Sequence, residues 1–332
     1  MSMKSSKWRW CFLLVLFFSL FACGQAREAE RLIAAAEESK KKGQLQVAAD
    51  LYHRAAGLKA QDFDIQYRTA LLYLQLDNIN EAEEHLGKVI SLRPDFGPAH
   101  LNLGVVFLKR GNTEEGRREL LEALRLDPRL AKAYYNLGVI EVEDGRFEQA
   151  EELFKKAISI NRNHQASYVR LGNLYVKQSK FLAALEVLEQ ASSLNFNDPV
   201  VLFNLGLVYE GLGKYEQSLA AFRKAIELNP SYASAHYNLG TLLLKMGGYH
   251  EALQPLQEAI RLAPQLSDAF YNLAAAYAQL GDKVKAVQLL KRAIELNPAL
   301  APEARRDNDF KSLHPEPGFL IIIQHDSQNP VK

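Results

Sequence analysis

Five asparagines recur in similar short segments, at intervals of 34 or 68 residues, and their side chains could form hydrogen bonds with a ligand. They are Asn102, Asn136, Asn204, Asn238 and Asn272, in AHLNLG, AYYNLG, VLFNLG, AHYNLG and AFYNLA. A side-chain amide both donates and accepts hydrogen bonds. A column of such amides could therefore bind the main chain of an extended peptide without reading its sequence. An alternative of equal weight is that the amides join neighbouring parts of the fold.

Aromatic residues stand directly before most of these asparagines. They are Tyr135, Phe203, Tyr237 and Tyr271. Rigid aromatic side chains often anchor interfaces, which favours a role in partner binding. Aromatic residues at helical spacing are also typical of packing between elements, so the spacing leaves both interpretations open.

The residue types that carry most catalysis form no recognisable motif. The eight histidines are dispersed and show no His-Glu-x-x-His pattern. Gly211-Leu212-Gly213-Lys214 lacks the upstream glycine and the serine or threonine of a phosphate-binding loop. Adjacent carboxylates such as Glu151 and Glu152 lie in lysine-rich segments typical of solvated helix faces. We therefore predict a protein without enzyme activity, cofactor, metal site or small-molecule substrate.

The charge balance argues against a nucleic-acid partner. The chain has 40 basic and 39 acidic residues, and three of the basic ones (Lys4, Lys7 and Arg9) lie at the extreme N-terminus. Nucleic-acid binding normally requires a clear excess of basic residues, because they neutralise phosphates. The remaining chain is close to neutral, and a nucleic-acid partner is not expected.

Residues 1–22 are typical of a bacterial export signal, with a basic start followed by the apolar run from Cys11 to Ala22. Leu20-Phe21-Ala22-Cys23-Gly24 resembles the bacterial lipobox, which implies acylation of Cys23. Gly24 after the cysteine implies an outer-membrane lipoprotein that faces the periplasm. Cleavage after Gly24-Gln25-Ala26 is the alternative, and it would release a soluble periplasmic or secreted protein. Cys11 and Cys23 are the only cysteines, so the folded part is expected to contain no disulfide and no thiol.

A frame of 34 residues that begins at Ala29 divides the chain into eight blocks without an insertion. The blocks are 29–62, 63–96, 97–130, 131–164, 165–198, 199–232, 233–266 and 267–300. A fixed period in this range indicates a stack of similar supersecondary units. Apolar residues recur at helical spacing in two stretches of each block, with a turn between them. Each block is therefore predicted to form a pair of helices.

Two positional patterns indicate how the helices of a block meet. The turn holds glycine in six blocks and Asp77 or Ser179 in the other two, and glycine favours the left-handed conformation that ends a helix. The eighth and twentieth places of every block hold only Gly, Ala or Ser, which allows two antiparallel helices to approach closely. Larger residues four places after the twentieth, such as Phe154 and Phe222, are expected to fill the space toward the next pair.

The combined pattern resembles the tetratricopeptide repeat, as Leu205-Gly206-Tyr209-Phe222-Ala225-Pro230 shows in one block. The resemblance covers Ala29 to Leu300. It implies an all-α fold of eight helix-turn-helix repeats, stacked as a right-handed superhelical solenoid with a concave groove. It also implies that the five asparagines lie on first helices and face this groove. A similar column binds extended peptides in the glycosyltransferases that add N-acetylglucosamine to proteins.

The C-terminal residues depart from the repeat. Ala301 to Gly318 resembles the capping segment of bacterial tetratricopeptide arrays, with Phe310 and Leu313 as its apolar contacts. Phe319 to Ile323 (FLIII) is too apolar to be left in water, so we expect a cap over residues 301–323 that docks on the last repeat. Residues 324–332 are expected to form a loose tail.

These observations predict a protein-interaction scaffold at the bacterial cell envelope that binds an extended peptide or a helix in its groove. By resemblance to lipoproteins of this architecture, such as the pilotins of type IV pili, it would assist assembly of an envelope complex. The alternative is an accessory subunit that presents substrates to an envelope enzyme. A carboxylate clamp for a peptide terminus is not expected, because Val169, Ser234 and Asn238 occupy the places of its basic residues.

Overall fold

The computed structural model of the protein describes residues 24–324, and this part of the chain contains eighteen α-helices, one 3-10 helix and no strand. The predicted export signal, Cys23 and the residues from 325 onward lie outside the described residues. The all-α fold class predicted from the repeat is confirmed. The chain forms two compact units, of which one ends at His164 and the other begins at Gln165.

The first unit contains four helix pairs. Its helices are α1 (24–41), α2 (Leu45–Leu58), α3 (Phe63–Gln75), α4 (Ile79–Leu92), α5 (Gly97–Lys109), α6 (Thr113–Leu126), α7 (Ala131–Glu143) and α8 (Phe147–Ile160). The odd-numbered helices are the first helices of the repeats, and the even-numbered helices are the second. Helix α1 already includes the five residues before the predicted frame, so the first pair has a longer first helix than the others.

The second unit contains four further pairs and a C-terminal cap. The pairs are formed by α9 (Gln165–Lys177), α10 (Phe181–Leu194), α11 (Pro199–Gly211), α12 (Tyr215–Leu228), α13 (Ala233–Lys245), α14 (Tyr249–Leu262), α15 (Ser267–Gln279) and α16 (Lys283–Leu296). The cap consists of α17 (Leu300–Arg306), the 3-10 helix η1 (Asn308–Leu313) and α18 (Pro317–Gln324). No helix among residues 24–324 is both long enough and apolar enough to cross a bilayer.

The turn within each pair has the same backbone geometry in all eight repeats. The six turn glycines have φ between 71° and 83°. Asp77 and Ser179 adopt the same left-handed conformation, with φ of 60° and 57°, although a side chain makes that conformation less favourable. The turn is therefore fixed by the packing of the two helices, which overrides the local preference of these two residues.

The two helices of a pair meet at the small residues predicted from the sequence. A Cβ atom on Gly206 of α11 would lie 2.5 Å from Cε1 of Phe222 on α12, and one on Gly138 would lie 2.7 Å from Cε1 of Phe154. Phe154 and Phe222 are completely buried. Phe222 also belongs to a core cluster with Leu239 of the next repeat, as expected. The large residue thus fills the space over the glycine of its own pair as well as the space toward the next pair.

Helix α11, which carries two of the predicted site residues, begins at a well-defined cap. The Asp198 carboxylate accepts hydrogen bonds from the backbone N–H groups of Val200, at 2.8 Å, and Val201, at 3.4 Å. Pro199 follows as the first helical residue, where its missing N–H costs nothing and its fixed φ suits the helix. These two residues replace the proline that ends the second helix in most other repeats.

The cap resolves how the FLIII segment folds. It forms α18, in which Phe319 and Ile323 are buried, while Leu320 is 40% and Ile321 is 63% exposed. Phe319 and Ile323 are four residues apart and therefore share one face of the helix, which is buried. Leu320 and Ile321 lie on other faces and stay in contact with solvent. Phe310 and Leu313 are completely buried beside the last repeat pair.

Candidate functional site

In the second unit, Asn238 and Asn272 have their amide nitrogens fixed by the fold. Nδ2 of Asn238 donates to the backbone oxygen of Ser234, at 2.8 Å. Nδ2 of Asn272 donates to Oγ1 of Thr241 on the preceding repeat, at 2.8 Å. The Thr241 hydroxyl in turn donates to the backbone oxygen of Tyr237, at 2.9 Å. The two asparagines occupy the same place on α13 and α15, which are in contact.

In the first unit, Asn102 and Asn136 form an equivalent pair on α5 and α7, which are also in contact. Nδ2 of Asn136 donates to the Lys132 oxygen, at 2.8 Å. Nδ2 of Asn102 donates to the Pro98 oxygen, at 3.0 Å, and to the Tyr67 hydroxyl, at 2.9 Å. We refer to Asn102 with Asn136, and to Asn238 with Asn272, as the amide pairs.

The hydrogen bonds of the nitrogens determine which way the side-chain oxygens face. A backbone carbonyl can only accept, so the amide must turn its nitrogen toward it and its oxygen away. Within the described chain, no donor is bonded to Oδ1 in either amide pair, and all four side chains are only half-buried. Each pair therefore presents two oriented acceptors, one repeat apart.

Asn204 differs from the members of the amide pairs. Its Nδ2 donates to the Val200 oxygen in the same manner, at 2.9 Å, but the residue is only 5% exposed. The sequence predicts an uninterrupted column from Phe203 to Asn272. In the second unit the structure opens Asn238 and Asn272 to solvent and keeps Asn204 inside.

Three of the predicted aromatic residues line the half-buried surface beside the asparagines. The ring of Phe203 lies 5.8 Å from that of Phe222 and 5.0 Å from that of Tyr232. The ring of Tyr135 lies 5.1 Å from that of His164. Burial raises the pKa of the Tyr237 hydroxyl. These rings are held by the core and still expose part of their surface, which suits a rigid contact for a partner.

Tyr271, the fourth predicted aromatic, serves the fold instead. It is 7% exposed, its hydroxyl donates to Oδ2 of Asp307 at 2.8 Å, and its ring packs edge-on against Phe310 at 5.1 Å. Burial, followed by the hydrogen bond to Asp307, raises the pKa of the hydroxyl. Tyr271 therefore joins the last repeat to the cap, and we assign its role to packing.

Near the amide pair of the second unit, one ion pair joins α13 to α11, and the exposed carboxylate of Asp268 on α15 has no ion-pair partner within the described residues. Nζ of Lys245 on α13 lies 3.2 Å from Oε1 of Glu210 on α11, so the two charges largely neutralise each other. The interaction with Glu210 raises the pKa of Lys245. Besides burial, the charge of Asp268 contributes to the raised pKa of Tyr237, so an acidic partner segment is disfavoured here.

The structure also brings together two histidines that the sequence separates. Nδ1 of His53 lies 3.0 Å from Nε2 of His85, and Nδ1 of His85 lies 2.6 Å from Oε1 of Gln66. The Gln66 amide nitrogen donates to the oxygens of Ala56 and Ala60, so its oxygen must accept from His85. No group of three or more metal-ligating side chains occurs within residues 24–324. The pair therefore belongs to a hydrogen-bond network that runs from the exposed His53 to the buried His85 and Gln66.

Comparison with known families supports the interpretation of the repeat. The chain matches the model described as the C-terminal domain of cilia and flagella-associated protein 70, a tetratricopeptide domain, over residues 72–270. Residues 267–300 match the model of the tetratricopeptide repeat itself. No sequence among the curated proteins matches the chain.

Several solved structures share the fold at low sequence identity. A chain of the APC/C hetero-tetramer Cut9–Hcn1 is 18% identical, with a TM-score of 0.61 over 80% of this chain and 53% of that one. This chain thus spans about half the length of that relative. The protein pilF of Pseudomonas aeruginosa is 24% identical, with a TM-score of 0.56 over 68% of this chain and 99% of that one. A repeat protein from Parabacteroides merdae is 17% identical, with a TM-score of 0.54 over 71% of this chain and 94% of that one.

Proposed function

The chain belongs to the tetratricopeptide-repeat family whose model is described as the cilia and flagella-associated protein 70 C-terminal domain, and from this premise we propose that it binds an extended peptide segment of a partner protein on its first helices. Tetratricopeptide proteins are generally non-catalytic scaffolds that bind proteins or peptides. We assign the binding site to the surface that carries the amide pairs and the half-buried aromatic residues.

The observation that supports the proposal is the orientation of the amide pairs. Asn204 shows the same nitrogen bond but is buried, whereas the side chains of the amide pairs reach the surface, where a ligand could contact their oxygens. Here the nitrogens are engaged and the oxygens of all four side chains have no donor within the described residues. An extended peptide has unpaired backbone N–H groups, which need acceptors when they leave water. The oriented oxygens supply such acceptors without selecting particular side chains.

Alanine at Asn238 and Asn272 should weaken partner binding by about 1 kcal/mol per residue, or roughly 30-fold in Kd for the double variant. Each substitution removes one acceptor for a peptide N–H. The partner is first captured from an envelope extract with the purified wild-type protein and identified. Its Kd is then measured for the wild type and for the double variant.

A matched control replaces Gln190 and Gln217 by alanine. These amides are exposed on the second helices α10 and α12, away from the amide pairs. The control should retain wild-type Kd, and circular dichroism should show equal helicity in all three proteins. Wild-type affinity in the folded Asn238→Ala/Asn272→Ala variant would contradict the proposed binding surface.

We also propose that the protein is exported and anchored at the outer membrane through an acylated Cys23, where it assists assembly of an envelope complex. The support is in the sequence, where an apolar run of signal type precedes a cysteine flanked by Ala22 and Gly24. A lipid anchor would hold the binding surface close to the membrane. Partner proteins would then be captured at the envelope.

Replacing Cys23 by serine should move the protein from the membrane fraction to the soluble fraction and abolish incorporation of labelled palmitate. The thiol is the group that receives lipid, and each buried CH₂ of an acyl chain contributes about 0.8 kcal/mol to membrane binding. Cys11→Ser is the control and should retain both properties. Membrane retention and labelling of the Cys23→Ser variant would refute the anchor.

A further inference from the structure

We propose that the bound segment adopts the polyproline II conformation and advances three residues per repeat, with non-proline residues at the two positions, three apart, that face an amide pair. This inference rests on the proposed function, because it concerns the ligand of the same amide pairs. It specifies the conformation and the register of the partner segment.

The distance between the two acceptors of an amide pair follows from the packing of the first helices. Asn238 and Asn272 occupy the same place on α13 and α15, and these helices are in direct contact. Helices in contact have axes about 8–10 Å apart. The backbones of the two asparagines are therefore separated by roughly the same distance, and the interval between the acceptors that they carry is expected to be of this order. The contact of α5 with α7 gives Asn102 and Asn136 the same separation in the first unit.

A ligand must present equivalent N–H groups at that interval. Only some conformations of a peptide place N–H groups on one face at this distance. A polyproline II segment rises about 3.1 Å per residue with three residues per turn, so the same face returns after roughly 9 Å. A β-strand covers about 10 Å in three residues, but its alternation turns the third residue to the opposite face. Two strand residues are too short for the interval, and four are too long.

An α-helical ligand does not match the acceptors. It rises about 1.5 Å per residue, and its backbone N–H groups are already bonded to its own carbonyl oxygens. The polyproline II backbone has no internal hydrogen bonds, so all its N–H groups remain available. Among the regular conformations, it alone offers a free N–H on one face at the spacing of the repeats.

The polarity of the acceptors adds a restriction on the sequence of the ligand. Because Oδ1 of each amide pair can only accept, the residue opposite it must possess an N–H group. Proline lacks this group and is excluded there, whereas it fits the two intervening positions and stabilises the conformation. The half-buried Tyr237 beside Asn238 favours an apolar side chain in the segment, and the negative charge of Asp268 disfavours an acidic one.

The test begins with peptides selected from a random 12-residue display library on the immobilised wild-type protein. Each selected peptide is counter-screened on the Asn238→Ala/Asn272→Ala variant and on the Gln190→Ala/Gln217→Ala control. Fluorescein-labelled synthetic copies then receive a single N-methyl group on each backbone nitrogen in turn. N-methylation removes one N–H at a time and leaves the side chains in place, and Kd is measured by fluorescence anisotropy.

The expected result is a loss of roughly 5-fold or more in affinity at two backbone nitrogens three residues apart, and little change at the others. Two sensitive nitrogens separated by any interval other than three residues would overturn the polyproline II register and leave the proposed function intact, as would sensitivity spread evenly over the peptide. If no selected peptide depends on Asn238 and Asn272, the proposed function fails and this inference fails with it.

Discussion

Alanine in place of Phe222 should lower the free energy of unfolding of the second unit by about 3–5 kcal/mol, the usual cost of removing a buried aromatic ring. The Phe222 ring is completely buried against Gly206 of its own pair and shares a core cluster with Leu239 and Leu242 of the next repeat. Gly206 has no side chain that could move into the resulting cavity. Urea unfolding followed by circular dichroism measures the change.

Leu182→Ala is the control for this prediction. Leu182 lies on α10 and is 74% exposed, so its truncation should change the free energy of unfolding by less than about 0.5 kcal/mol. In a stack of repeats each pair is stabilised mainly by its neighbours, so the loss at Phe222 should destabilise the adjoining pairs as well. A loss below about 1 kcal/mol would show that the close packing of Phe222 on Gly206 is not a main source of stability.

Acid should destabilise the first unit by about 2.5 kcal/mol near pH 4.5 through one residue, His85. Burial lowers the pKa of His85 from 6.5 to about 4; positive charge on Lys88 and His53 lowers it further, and Glu84 opposes the shift. The residue is 2% exposed, so its charged form has almost no access to water. The folded state therefore binds the proton less readily than the unfolded state.

Because of this difference in proton binding, the free energy of unfolding decreases as the pH falls. Above the unfolded pKa of about 6.5 both states are neutral at His85, and the stabilisation is fully present. As the pH falls from 6.5 to about 4, the unfolded state is protonated first and the stabilisation is lost. Urea unfolding near pH 7.5 and near pH 4.5 measures the difference.

His85→Gln separates this contribution from that of the carboxylates, which also titrate in acid. The glutamine amide can donate to Gln66 and accept from His53, but it does not take up a proton. The variant should lose about 2.5 kcal/mol less than the wild type between the two pH values. His250→Gln, at an exposed position on α14, should leave the wild-type profile unchanged. Equal acid sensitivity of His85→Gln and the wild type would contradict the assignment.

The parts of the fold that follow from local rules could be predicted from the sequence. Turn residues, small residues at the eighth and twentieth places and helical periodicity all repeat with the same interval, so each repeat supports the interpretation of the others. Even Asp77 and Ser179 were placed in turns by register alone, and both have positive φ. The predicted frame begins at Ala29, and it did not reveal that residues 24–28 are also helical.

Other features of the fold depend on tertiary contacts, which the spacing of residues in the sequence does not reveal. His53 and His85 occupy different places in adjacent repeats, so their approach to 3.0 Å is a result of tertiary packing. The five apolar residues of FLIII have no internal period, so the sequence alone did not distinguish a helix from an extended segment.

For the candidate site, the sequence predicted the positions of the asparagines but not their hydrogen bonds. A single helical spacing is compatible with an amide that serves the fold and with one that serves a ligand. The structure separates the cases residue by residue, since Asn204 is buried and Asn238 is open. Tyr271 was grouped with the binding aromatics because Asp307 and Phe310, its actual partners, lie outside the repeat.

The central claim is that the amide pairs bind a peptide backbone, and side-chain amide NMR tests it most directly. Protein labelled with ¹⁵N at asparagine and glutamine is titrated with a synthetic peptide obtained from the display selection. The side-chain NH₂ resonances of Asn238 and Asn272 should shift and saturate with the peptide, while those of Gln190 and Gln217 remain unchanged. Saturable shifts at Gln190 and Gln217 without any at Asn238 and Asn272 would place the binding surface on the second helices and contradict the account.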